Sequence, residues 1–314
     1  MIRQTTLRQT TILAAVLTAT TLLAAGCGTT RSNVCGKLVP NATAQGDAAA
    51  LITAGDMAWK ARTEAAKIRV SIDAWNKALA IAPKDAETRI KLSRAYYFLA
   101  DGYLRADDEK EAEMKATFLK GMKEAEIALA LKVPQYRKDF CSEKTFAQSI
   151  ATADKSAVPA MYWFATNLGK WGLEEGLTTI LKYKDDIKAM IDRVETLEPT
   201  YFYHAPYRYF GVYWTKIPVF RGDAAKSKAA FQKSIDGAPQ YLATKVLMAE
   251  RFCTKWKDPK LFVKLLTEVA NFDLNSAPEL APENAIEKKK AKELYDDADT
   301  YFSEEDLKAA GWKG

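Results

Sequence analysis

Histidine is almost missing from this chain: His204 is the only one in 314 residues. A single imidazole leaves most recognisable acid–base, nucleophilic and metal-binding arrangements without their usual parts. There is also no Gly-rich phosphate loop, no nucleophile elbow and no cysteine or histidine pair at metal-ligand spacing. The carboxylate pairs Glu174-Glu175 and Asp185-Asp186 are adjacent, so on a helix they diverge and act as solvated charge. The sequence therefore reads as non-enzymatic, with no metal and no cofactor. Charge of one sign is scarce too. The 46 basic and 40 acidic residues give +6, spread in mixed-sign stretches such as 107–115, which is not the footprint of a nucleic-acid partner. Beyond the first 26 residues no apolar run is long enough to span a bilayer.

What is present begins at the start. Arg3 and Arg8 precede an apolar run from Thr11 to Leu23, which passes through Ala24, Ala25 and Gly26 into Cys27. That run is too short for a mature membrane helix and reads as an export signal ending at a lipidation site. Ala24 stands where such signals usually carry leucine, with Leu23 one position early. The competing reading is ordinary secretion, with a cut after the small triplet and Cys27 left as a thiol. Lipidation at Cys27 would supply more than one acyl chain and hence a stable anchor. The expected organisation is a signal over 1–26, a tether over 27–43 and a single all-α domain over 44–314, periplasmic and held at the inner leaflet of the outer membrane. In that oxidising compartment Cys35, Cys141 and Cys253 are disulfide candidates. Three thiols leave one unpaired, and every pairing remains open.

The remainder reads as helix after helix. Ser71, Trp75, Ala78 and Pro83 fall at the offsets of the second half of a tetratricopeptide repeat. Small residues let the partner helix approach, a bulky one fills the groove, and proline ends the helix. The same offsets recur, loosely at Ile187, Ile191, Val194 and Pro199 and more closely at Ser227, Phe231, Ser234 and Pro239. An intermediate copy runs from Met114 to Pro134, with Gly121, Ala125 and Ala128 as small contact positions. The fold expected is a tetratricopeptide-like array of helical hairpins. After a helix from about residue 260 to 270 and a loop over 271–284, a charged helix from Glu283 to about Phe302 should cap its open end.

Two aromatic blocks exceed what one helix face can bury. In the first, from Val158 to Gly172, Tyr162, Trp163 and Trp171 accompany the polar Asn167. The second, Tyr201 to Trp214, has eight aromatic rings besides His204 and Arg208, among them Tyr203, Tyr209, Tyr213 and Trp214. Such a surplus suggests a lined cavity for an apolar or amphipathic small-molecule ligand. Arg208 between two tyrosines could hold a ligand carboxylate through its planar fork; its competing role is an ion pair with Glu174 or Glu195. For His204 the competing role is structural, and for Tyr162, Trp163 and Trp171 it is hairpin core.

Taken with the export signal and the degenerate hairpins, Pro159 to Trp163 through Trp171-Gly172, and Tyr203 to Gly211 followed by Pro218, Gly222-Asp223 and Ser227-Lys228, resemble the TatT component family. These are periplasmic lipoproteins associated with tripartite, TRAP-type solute transport. The resemblance covers about Ala50 to Cys253. It implies an all-helical protein that assembles as a homotrimer and passes ligand to or from a periplasmic solute-binding protein. Members commonly carry a Gly-rich turn before Pro-x-Arg, where this chain has His204-Ala205, residues that do not share glycine's conformational freedom. The alternative function is a repeat-type scaffold for envelope assembly. Convergence of Tyr162, Trp171, Tyr203, Arg208 and Trp214 on a solvent-connected cavity would favour transport.

Overall fold

The computed structural model describes residues 34–217 and 221–313. Cys27, the export signal and Pro218 lie outside the described residues. Among the described residues there is no strand, and no helix is long and apolar enough to cross a membrane.

Among the described residues fifteen α-helices follow one another. The first four are α1 (Ala48–Lys60), α2 (Ala65–Ile81), α3 (Ala86–Leu99) and α4 (Glu111–Lys132). Two short helices, α5 (Pro134–Phe140) and α6 (Phe146–Ile150), lead to the long pair α7 (Val158–Glu175) and α8 (Leu177–Leu197). Next come α9 (Tyr201–Lys216), α10 (Ala224–Gly237), α11 (Ala243–Leu247) and α12 (Thr254–Trp256). The chain closes with α13 (Pro259–Asn271), α14 (Ala281–Asp296) and α15 (Glu304–Ala309). Two π-turns interrupt the pattern, at Ala100–Leu104 after α3 and Met248–Cys253 after α11.

The hairpins α1–α2, α3–α4, α7–α8 and α9–α10 form the array. Local chemistry sets their ends. Asp85, Asp223 and Asp258 each accept a backbone N–H in the first turn of α3, α10 and α13, satisfying donors that a helix start leaves unpaired. Two hairpins close in the same way. A Cβ added to Gly55 would lie 2.4 Å from Trp75 Nε1, and one added to Gly211 would lie 2.6 Å from Phe231. Each glycine lets α1 or α9 ride directly against the bulky residue of the repeat signature on the next helix, and both rings are buried.

The first aromatic block does not need a cavity to accommodate its rings. α7 packs against α3, α4 and α8, so its successive positions find cores on several sides. Trp163 meets Tyr97 and Phe202, Phe164 meets Phe146, and Tyr162 meets Tyr201 and Phe202.

The cysteines resolve to one pairing: Cys35 is bonded to Cys141, 106 residues away, and Cys253 is free and buried. Burial pushes the Cys253 thiol far above its usual pKa, which leaves it unreactive. The segment assigned to a tether is fastened to the body from Val34 onward. Val34 is fully buried, Arg137 donates to the carbonyls of Val34 and Gly36, both at 2.6 Å, and the Thr43 N–H donates to Ala80 O at 2.8 Å.

The C-terminal segment differs from the expected cap. The loop between α13 and α14 contains two short 3-10 turns, Leu274–Ser276 and Pro278–Leu280. α14 then reaches back to the N-terminal helices: Glu283 pairs with Arg62 and Arg94, Lys290 pairs with Asp101, and Ile286 sits where a side chain on Gly102 would clash. Its polar face is buried against another part of the chain, and that is why its apolar positions looked sparse.

Candidate functional site

The second aromatic block opens with an unusual backbone. Phe202, Tyr203 and His204 have φ of 44, 60 and 57°, all left-handed, before α9 resumes at Ala205 and Pro206. None of the three is glycine, so each conformation costs about 1–2 kcal/mol. Their carbonyls are individually captured. Arg208 Nη2 donates to Phe202 O (3.3 Å), Arg208 Nη1 to Tyr203 O (3.1 Å), and Ser234 Oγ to His204 O (3.1 Å). Ring contacts fix the side chains: Tyr203 stacks on Tyr241 with centroids 4.8 Å apart, and Phe202 packs edge-on to Trp163 and Tyr241.

Arg208 is thereby held from several sides. It also donates to Tyr162 Oη at 3.3 Å and Thr244 Oγ1 at 3.4 Å, and its guanidinium lies 4.6 Å from the Tyr241 ring centroid. It is only 6% exposed. Among the described residues no ion pair includes it, so neither Glu174 nor Glu195 is its partner. Every contact on Arg208 is thus neutral. An arginine charge carried into the interior ordinarily requires a carboxylate, and this one faces an unfilled space.

That space is a cavity of about 260 Å³. Arg208, Tyr162 and Tyr241 line it together with Glu283 and Glu287 of α14, and Phe98, Val246, Leu247 and Ile286 supply apolar surface. Both π-turns contribute, the first with Asp101 and Gly102, the second with Glu250 and Arg251, in keeping with the habit of such turns of marking functional sites. Burial alone would raise the Asp101 carboxyl, but Lys170 and Lys290 beside it hold it well below the usual carboxylate range. Burial likewise pushes the Tyr241 and Tyr97 hydroxyls up, so both are neutral hydrogen-bonding groups at any physiological pH. Two larger hollows, of about 550 and 670 Å³, are open clefts beside the segment 35–42.

The sequence-derived candidates divide. Tyr162 and Arg208 line the cavity; Trp171, Tyr203 and Trp214 do not. Trp171 packs on Tyr183, and Trp214 lies under the Lys226 ammonium at 4.6 Å. Trp163 is core. Asn167 is fully buried and donates to Ser93 and to Trp163 O, with its carbonyl oxygen turned towards Gly121. Tyr209 and Tyr213 pack on each other and on Phe210, away from the cavity. His204 lies against Gly237 and Tyr207 and serves the turn. Tyr97, Asp101, Lys170, Tyr241, Thr244, Glu283, Glu287 and Lys290 were not among the candidates. Lys170, inside the first aromatic block, was the one with a local signal.

Comparison with known proteins adds one match. The family model described as TRAP transporter T-component matches residues 73–302, a span that includes every cavity-lining residue. No curated protein matches the chain.

Proposed function

The chain belongs to the TRAP transporter T-component family, a transport accessory component, and from that premise we propose that it binds a small ligand in the Arg208 cavity and exchanges it with a periplasmic solute-binding protein. The ligand is amphipathic and carries a carboxylate. Arg208 supports this reading most directly: a buried guanidinium with only neutral partners, facing a cavity, is electrostatically complete only when an anion joins it. Apolar side chains on the same cavity suit the rest of an amphipathic molecule.

In this reading the protein is not an enzyme. A signal over 1–26 is removed, Cys27 is lipidated, residues 27–43 connect the anchor to one helical domain over 44–314, and the body stands in the periplasm at the inner leaflet of the outer membrane, as a homotrimer. Because the chain is pinned again at Val34 and Cys35, the body would sit within roughly 25 Å of the bilayer, the reach of the seven residue-to-residue steps from Cys27 to Val34.

Mass spectrometry of protein purified from its own membranes tests both halves. The expected result is a diacylglyceryl-modified Cys27 at the mature N-terminus and a co-purifying carboxylate that is lost from Arg208→Met. A mature N-terminus elsewhere would remove the anchor, and an unchanged co-purifying molecule in the variant would remove Arg208 from the site.

A further inference from the structure

We infer that the ligand of this cavity is a small zwitterion, whose carboxylate meets Arg208 and whose ammonium meets Glu287; the inference rests on the ligand-binding reading above and narrows it. The twenty lining residues include five basic and five acidic side chains. A cavity built only to take a monoanion gains nothing from a buried carboxylate that its cations do not fully occupy, since such a group opposes the ligand's charge. A ligand bearing both signs uses it.

Glu287 is the acid with capacity to spare. It is 8% exposed and accepts a single hydrogen bond, from Lys290 Nζ to Oε1 at 3.0 Å. Lys290 is shared, since it also donates to Asp101 at 2.6 Å. A carboxylate offers about four acceptor sites, so most of the Glu287 capacity is left for the cavity that it lines. Glu283, one turn earlier on α14, has its two oxygens occupied by Arg62 and Arg94. Asp101 has both of its own occupied by Lys170 and Lys290.

Both poles line the one cavity, together with Tyr241, whose ring centroid lies 4.6 Å from the Arg208 guanidinium. A volume of about 260 Å³ is roughly that of eight or nine water molecules, enough for a ligand of amino-acid size with an apolar side chain against Val246, Leu247 and Ile286.

Three compounds that share a phenethyl unit test this on the full chain by isothermal titration: phenylalanine, 3-phenylpropionate and phenethylamine. The expected order is phenylalanine at least tenfold tighter than 3-phenylpropionate, with phenethylamine weakest. Glu287→Gln should erase the tenfold difference by weakening phenylalanine alone, whereas Arg208→Lys should weaken both carboxylates. Equal affinity for phenylalanine and 3-phenylpropionate overturns the zwitterion inference and leaves the carboxylate reading standing. Preference for phenethylamine, or binding of none of the three, overturns both. Should Glu287→Gln fail to fold, the comparison on the unaltered protein decides the matter by itself.

Discussion

Replacing Glu283 with alanine removes the contact through which α14 is clamped to the turn after α1 and to α3. Arg62 approaches Glu283 with two donors, Nε to Oε1 at 3.0 Å and Nη2 to Oε2 at 2.8 Å, and Arg94 adds a third at 3.0 Å. The side chains of Arg62 and Glu283 are 11% and 7% exposed, against 32% for Arg94. Breaking a buried pair typically costs about 3–5 kcal/mol, because the surviving charge is stranded. Here the lower end applies. Arg62 keeps hydrogen bonds to Glu279 O at 2.8 Å and Trp59 O at 3.3 Å and its place 5.2 Å from the Trp59 ring centroid, while Arg94 is partly screened by water. The expected loss is about 3 kcal/mol, read as a lower urea midpoint by far-ultraviolet circular dichroism, with faster amide exchange in α14. Arg62→Met with Glu283→Leu should restore most of it, because an apolar pair of similar volume strands no charge. A loss below about 1 kcal/mol for Glu283→Ala, the range of an exposed pair, would refute the clamp as a buried, structure-determining contact.

The left-handed turn gives a second expectation: His204→Gly should cost nothing or stabilise by up to about 1 kcal/mol by thermal denaturation, since glycine takes φ of 57° without the Cβ penalty. A loss above about 1 kcal/mol would mean that the imidazole's packing on Gly237 outweighs the strain. Asp101 gives a pH expectation. Its pKa is depressed by Lys170 and Lys290, so its contribution is complete above the unfolded value near about pH 4 and fades as the pH falls towards the folded one. Asp101→Asn should therefore flatten the acid side of the stability profile and cost on the order of 2 kcal/mol at neutral pH; an unchanged acid slope would contradict the assignment. Cys35→Ser with Cys141→Ser opens a crosslink spanning 106 residues and should lower stability by about 3 kcal/mol, with protease cleavage appearing first in residues 34–43. Protection of that segment equal to wild type would show that Val34 burial and Arg137 suffice to hold it.

The hairpins were legible because their signals are local. Ser71, Trp75, Ala78 and Pro83 lie within four helical turns, as do Ser227, Phe231, Ser234 and Pro239, and each set carries its own packing logic without reference to the rest of the chain. Arg208 was legible as a chemical oddity among tyrosines. Its surroundings were not. The carbonyls that hold it come from residues whose left-handed angles no propensity predicts, since Phe, Tyr and His ordinarily avoid them. Part of the cavity's acidic lining comes from α14, joined to Arg62 across 221 residues and to Asp101 across 189. A helix whose buried face is charged looks in one dimension like a solvated one. The same distance hid the disulfide, where three cysteines admitted every pairing. Trp163 and Tyr209 erred in the other direction: aromatic density counts rings, and only the packing around α7 and α9 shows how many of them a core absorbs.

The strain in the turn and the charge on Arg208 depend on each other. Three left-handed residues would cost roughly 3–6 kcal/mol together if nothing offset them. What offsets them is that the turn points two carbonyls at Arg208 and a third at Ser234, while Ser234 and Thr244 share a hydrogen bond and Thr244 receives one from Arg208. Without the turn, the guanidinium would lose two of its four hydrogen-bond acceptors; without the guanidinium, two buried carbonyls would be left unpaired. An ordinary helix start at Tyr201 would turn those carbonyls along the helix axis and away from the cavity. The geometry therefore keeps an arginine charged and oriented at a buried position without a permanent carboxylate, and so leaves its anion-binding face for a molecule that arrives and departs.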